Sequence, residues 1–197
     1  MLRHASKVIK KTKLGINPFP HLFVKNLIPK KELKKLNRIL PSFREVSGKD
    51  VLYQSTSETK KTLLPSSQIY KKVIKEESFK KIDKLFKDLK PLIVKKFRPY
   101  IKGSVRKKYH NTRLKYHSSF SLMRSGYKKS SHLDRRDHLF HILFYPYTDG
   151  NSGGELKLDK LKNDKNTFDI FPGKKDLKTV KKLKINNNHC LFTLNVP

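Results

Sequence analysis

Cysteine, acidic residues and long apolar runs are all scarce in this chain, and each shortage narrows what it can be. A single cysteine, Cys190, excludes an internal disulfide and suits a reducing compartment. Beside Leu191 and Phe192 on an expected strand, it reads as a small buried hydrophobe rather than a reactive thiol. No window approaches the ~20 apolar residues of a membrane-spanning helix. Met1 to Leu14 is basic but has no apolar core of the secretory kind. A basic tail over residues 1–17 is the simpler reading, with a short organellar targeting peptide as the alternative. The resulting expectation is a cytoplasmic protein.

Only 16 residues are acidic against 47 basic, a formal net charge of +31. Such a field attracts polyanions. The basic residues are mostly lysines, spread along the chain in pairs such as Lys30-Lys31, Lys80-Lys81 and Lys181-Lys182. Base-specific readout favours arginine forks, and arginine is scarce. A generic solvated surface is therefore the plainer reading, and a functional polyanion surface the sharper one.

What is present supports a folded domain. Hydrophobic residues make up 36% of the 197 and aromatics 10%, enough to build a core. Pro18 to Val24 reads as an extended segment. Pro29 suits the first turn of a short helix through Leu40, with Leu33, Leu36 and Leu40 on one face. Residues 41–67 read as a loop with one short strand at Val51 to Gln54, and Ser66 or Ser67 caps the helix after it. Period 3.6 predicts helix from Gln68 to Ile101, kinked or divided at Pro91. Beyond Gly103 the period shortens, and strands are expected at Tyr116–Arg124, Leu139–Tyr145, Glu155–Leu158, Thr167–Phe171, Leu177–Ile185 and Cys190–Val196. Turns fall at Ser125-Gly126, Thr148–Gly154 and Pro172-Gly173. Helices first and strands later indicate an α+β domain over 18–197, with helical support at 29–101 and sheet strands at 110–197.

The densest chemistry lies between His132 and Leu156. His132 and Asp134 are two residues apart, so on an extended segment they present an imidazole nitrogen and a carboxylate oxygen to one side. Neutral nitrogen with anionic oxygen suits Fe(II). Spacing alone decides little, since random order would give about 0.4 such tripeptides in a chain of this composition. After it come an apolar strand ending in Tyr145, a polar turn, and Gly153-Gly154-Glu155-Leu156. By alternation Leu139, His141, Leu143 and Tyr145 share a face, and His138 faces the other way. Gly153-Gly154 reads as a tight turn, because no phosphate-loop pattern accompanies it.

Across residues 132–156 the sequence resembles the Fe(II)- and 2-oxoglutarate-dependent dioxygenases, in particular the prolyl-4-hydroxylase-like branch. Pro18-Phe19-Pro20-His21 and the helix after it also resemble the opening of small members. The resemblance implies a double-stranded β-helix, or jelly roll, with His132 and Asp134 as two iron ligands. It implies 2-oxoglutarate and O2 as cosubstrates, with ascorbate as an optional reductant, and a hydroxylated substrate that is a protein side chain, a sugar or a small metabolite. Tyr145 matches a tyrosine that contacts 2-oxoglutarate; a strand-end aromatic with its hydroxyl in water is the plain alternative. His141 would line the pocket rather than bind metal. The family's second histidine, and the arginine or lysine that pairs with 2-oxoglutarate, lie beyond a strand resembling Leu191–Val196. His189 precedes that strand. The expectation is thus a jelly roll incomplete at its C-terminus, the front portion of a longer enzyme, with a shortened inactive relative as the alternative. Two other classes compete. One is an inactive oxygenase-like basic module binding nucleic acid or another polyanion. The other is a cupin-type metal site, which would need further His and Glu at set spacing.

Overall fold

The computed structural model describes residues 1–52, 58–101, 114–129, 131–132, 138–148, 154–163 and 171–195. It is an α+β structure with small antiparallel sheets and several helices. The elements are α1 (Leu2–Lys11), β1 (His21–Val24), α2 (Lys30–Asn37), β2 (Lys60–Thr62), α3 (Gln68–Lys75), α4 (Glu77–Phe97), β3 (Ser121–Met123), β4 (Phe140–Tyr145), β5 (Glu155–Leu161), β6 (Leu177–Lys184) and β7 (His189–Leu194). None of the described helices is long and apolar enough to cross a membrane.

The central sheet has the order β1-β7-β4, all antiparallel. Its register sets two rows of opposing chemistry. Leu22 pairs with Phe192 and Phe192 with Ile142; Val24 pairs with Cys190 and Cys190 with Phe144. These side chains form one face, buried against α1, α2 and α4. The other face carries Phe23, Leu191, Leu143 and Tyr145, which pack with Leu156, Leu158 and Leu183 of the β5-β6 hairpin. Because both faces of β7 are covered, the strand is a near-continuous apolar run.

Helix α4 seats Leu85, Phe86, Leu89, Ile93 and Phe97 at spacings of one, three and four, the stripe expected of a helix lying on a sheet. Phe86 meets Phe144 edge-on at 5.6 Å, and Phe97 meets Phe140 at 5.5 Å. The lysines between them lie outward, and pairs such as Lys84–Asp88 and Lys87–Asp83 bridge one turn.

Three expectations are corrected. Residues Leu2–Lys11 are a helix and not a tail: Ala5 and Ile9, one turn apart, are fully buried in the main core. So short a helix is marginal alone, and its stability comes from this docked face. Pro91 neither divides nor ends α4. The break falls earlier, where Glu76 turns extended (φ −67°, ψ 134°), and Pro91 sits on the exposed side while Leu89 and Ile93 hold the flanking turns. Lys60–Thr62, expected as loop, forms β2 and pairs with β3, while Val51 makes a single bridge to Leu63 and Tyr53 and Gln54 of the expected strand lie outside the described residues. β1 belongs to the central sheet and so lies among the strands even though it precedes α2, α3 and α4. Ser67 caps α3 as expected, its hydroxyl accepting from the Tyr70 N–H at 3.2 Å. Residues 167–170 of one expected strand lie outside the described residues.

Candidate functional site

The face of the central sheet turned away from the helices lies against the β5-β6 hairpin. Alternation along β4 turns His141, Leu143 and Tyr145 to the side away from the helices, and the β5-β6 hairpin stands over them. Across the sheet, His141 is opposite Thr193, and Thr193 is opposite His21, so one row of this face is polar. The next row, Leu143-Leu191-Phe23, is apolar. His132, His138, His141 and Tyr145 all border a wide hollow of about 2660 Å³ that takes in residues from both faces of β4, so bordering it does not by itself bring them together.

His132 lies just before β4 with its ring stacked on Phe171, centroids 6.3 Å apart and planes at 28°. Its neighbour Ser131 donates a hydroxyl hydrogen bond to Asp159 Oδ2 on β5. That bond ties the histidine's segment to the hairpin. The other oxygen, Asp159 Oδ1, is buried with no hydrogen-bond partner among the described residues. Asp134 and Gly153 lie outside the described residues. Gly154 is described, with φ +91°, which accords with a tight turn before β5.

Tyr145 packs its ring among Leu143, Leu156, Leu158 and Leu191. Burial, with smaller contributions from Cys190 and Tyr127, pushes its hydroxyl well above the usual phenol range. At neutral pH it therefore stays an O–H donor, which suits a contact to a carboxylate.

The Ser131 hydrogen bond goes to Asp159 Oδ2, so it fixes the segment that carries His132 against β5 without bringing the imidazole to the orphaned Oδ1. No group of three His, Cys, Asp or Glu side chains able to hold a metal occurs among the described residues. A complete ligand set is therefore not assembled by them.

Asp159 escaped the reading of the sequence. It lies in a strand whose visible signal is the alternation of leucines, and its proximity to Ser131 depends on how the hairpin folds over the sheet. His21 was legible only as part of an extended segment. No family model, no curated protein and no solved structure matches the chain.

Proposed function

We propose that the chain is an Fe(II)- and 2-oxoglutarate-dependent dioxygenase-like domain, with β1-β7-β4 as one layer of a jelly roll and β5-β6 as part of the layer facing it. The observation that supports this is the strand β4 itself: His141 and Tyr145 lie on its face away from the helices, and the segment with His132 is tied to the β5-β6 hairpin that covers that face. In this reading His132 and Asp134 hold the metal. Tyr145 donates its hydroxyl to the 2-oxoglutarate carboxylate, and His141 forms part of the wall. The bound metal would supply oxidation of a substrate C–H bond, with 2-oxoglutarate and O2 as cosubstrates. The protein's part is to orient these groups and exclude water.

The test is anaerobic titration of the full chain with Fe(II), with and without 2-oxoglutarate, followed by charge-transfer absorption. The expected result is a 2-oxoglutarate-dependent band that is lost in His132→Ala and in Asp134→Ala. Tyr145→Phe should retain metal binding but weaken 2-oxoglutarate by about fivefold, the worth of one hydrogen bond of ~1 kcal/mol. A chain that takes up no Fe(II), or a band indifferent to His132→Ala, would sink the reading.

The excess of 47 basic over 16 acidic residues favours a second reading, an oxygenase-like scaffold that binds a polyanion without catalysis. It predicts strongly salt-dependent binding that is unchanged in His132→Ala.

A further inference from the structure

A second hollow, of about 550 Å³, lies where β6 passes the outer edge of β1. Lysines from three separate stretches converge on it. Lys13 comes from the α1–β1 connection, Lys25 from just past β1, and Lys181, Lys182 and Lys184 from β6. Among the described residues that line it there is no carboxylate. Lys182 does reach an acid outside the hollow, Glu155 at 3.6 Å, but that pair is exposed and carries little energy. Cations gathered in a concavity with no acid in its wall repel one another, and a bound anion would relieve that repulsion.

The back of the hollow is built rather than incidental. Gly15 and His21 exchange both backbone hydrogen bonds, at 2.9 and 2.8 Å. A Cβ on Gly15 would stand 2.5 Å from His21 Cε1 and Nε2, so only glycine lets the imidazole lie there. The ring donates Nδ1–H to the Phe19 carbonyl at 2.8 Å, which leaves the Nε2 lone pair to accept from Lys181 Nζ at 3.3 Å. Burial, then the Lys181 charge, holds the His21 pKa below its usual value, opposed by the Phe19 hydrogen bond. A neutral His21 thus orients the Lys181 ammonium while using one of its three donors.

We propose that this hollow is a binding site for a compact phosphate-bearing anion, held by Lys181 and Lys25 with Lys13 and Lys184 around it. Lysine ammoniums are point charges suited to phosphate oxygens. The volume falls in the range of small-molecule sites and exceeds what one phosphate fills. Of the described residues that line this hollow, Lys184 alone also borders the one beside His132, and the proposal does not rest on the oxygenase reading.

The experiment is calorimetric titration of the full chain with pyrophosphate at moderate salt. Saturable binding is expected, weakened at least about tenfold by Lys181→Gln and by Lys25→Gln, each removing one charge-assisted contact. Lys80→Gln, on the exposed side of α4, should change it less than about twofold, and His132→Ala should leave it intact. Competition by a single-stranded oligothymidylate would assign the phosphate to a nucleic-acid backbone; lack of competition would assign it to a small molecule. Absence of saturable pyrophosphate binding would overturn the proposal. So would equal losses in Lys181→Gln and Lys80→Gln, because the attraction would then be diffuse charge.

Discussion

Asn188 clamps Ile28 from both sides of its peptide. The Ile28 N–H donates to Asn188 Oδ1 at 3.0 Å, and Asn188 Nδ2 donates to the Ile28 carbonyl at 2.7 Å. The backbone of Asn188 is used as well: its carbonyl accepts from Leu27 N–H at 3.1 Å, and its N–H donates to Tyr145 O at 2.7 Å. One buried residue thus joins the start of β7 to the approach to α2 through its side chain and to the end of β4 through its backbone, and it does so with φ at +64°.

Asn188→Ala should therefore destabilise the fold by about 3 kcal/mol, since it strands two buried backbone groups and places a Cβ residue without a local hydrogen bond in the left-handed region. Asn188→Gly should recover roughly 1 kcal/mol of this, because it relieves only the backbone strain. Urea unfolding of the three proteins measures both. Losses below ~0.5 kcal/mol in the Ala variant would mean the clamp is not formed in solution.

Helix α1 makes an equally direct claim. Ile9 is fully buried, so Ile9→Ala should cost about 2–4 kcal/mol in the same assay. Lys7→Ala, on the exposed side of the same helix, should stay within about 0.5 kcal/mol. A disordered basic tail would make the two variants alike.

Acid should weaken the fold through His21 and His189. Both pKa values lie below the usual 6.5, His21 through burial and then Lys181, His189 through burial and then Lys25, with a hydrogen bond opposing the shift in each case. The folded state thus favours the neutral rings, and His189 Nδ1 is accepting from the Asn186 N–H at 3.1 Å. Because the folded pKa is depressed, the unfolded chain binds more protons below about 6.5, and stability falls as pH drops through that value toward the folded pKa. In His21→Gln that decline should be shallower than in the parent. An identical pH profile would show that His21 does not remain neutral in the fold.

Much of the architecture was legible locally. Period 3.6 marked α2, α3 and α4, and the run ending at Tyr145 marked β4, because burying one face of an element imposes its own spacing on the chain. The same alternation put Leu143 and Tyr145 on one side of β4, whereas Leu139, expected with them, precedes the strand and packs in the helix-side core. Pro91 does not divide α4, because proline's local cost is outweighed by packing on both sides of it, through Leu89 and Ile93. α1 was missed because its buried stripe is only Ala5 and Ile9 among basic residues, a signal too short to stand apart from a tail.

The sequence by itself determined the mixed helix-and-strand class and the excess of positive charge. Only the tertiary structure decided that Lys13, Lys25 and Lys181 meet over His21, that Asp159 comes beside Ser131, and that Asn188 reaches Ile28. Periodicity reports which face of a segment is buried. It carries no record of which distant segment covers that face, since many pairings bury similar apolar area, and the choice rests on register and on hydrogen bonds that exist only once the chain has folded.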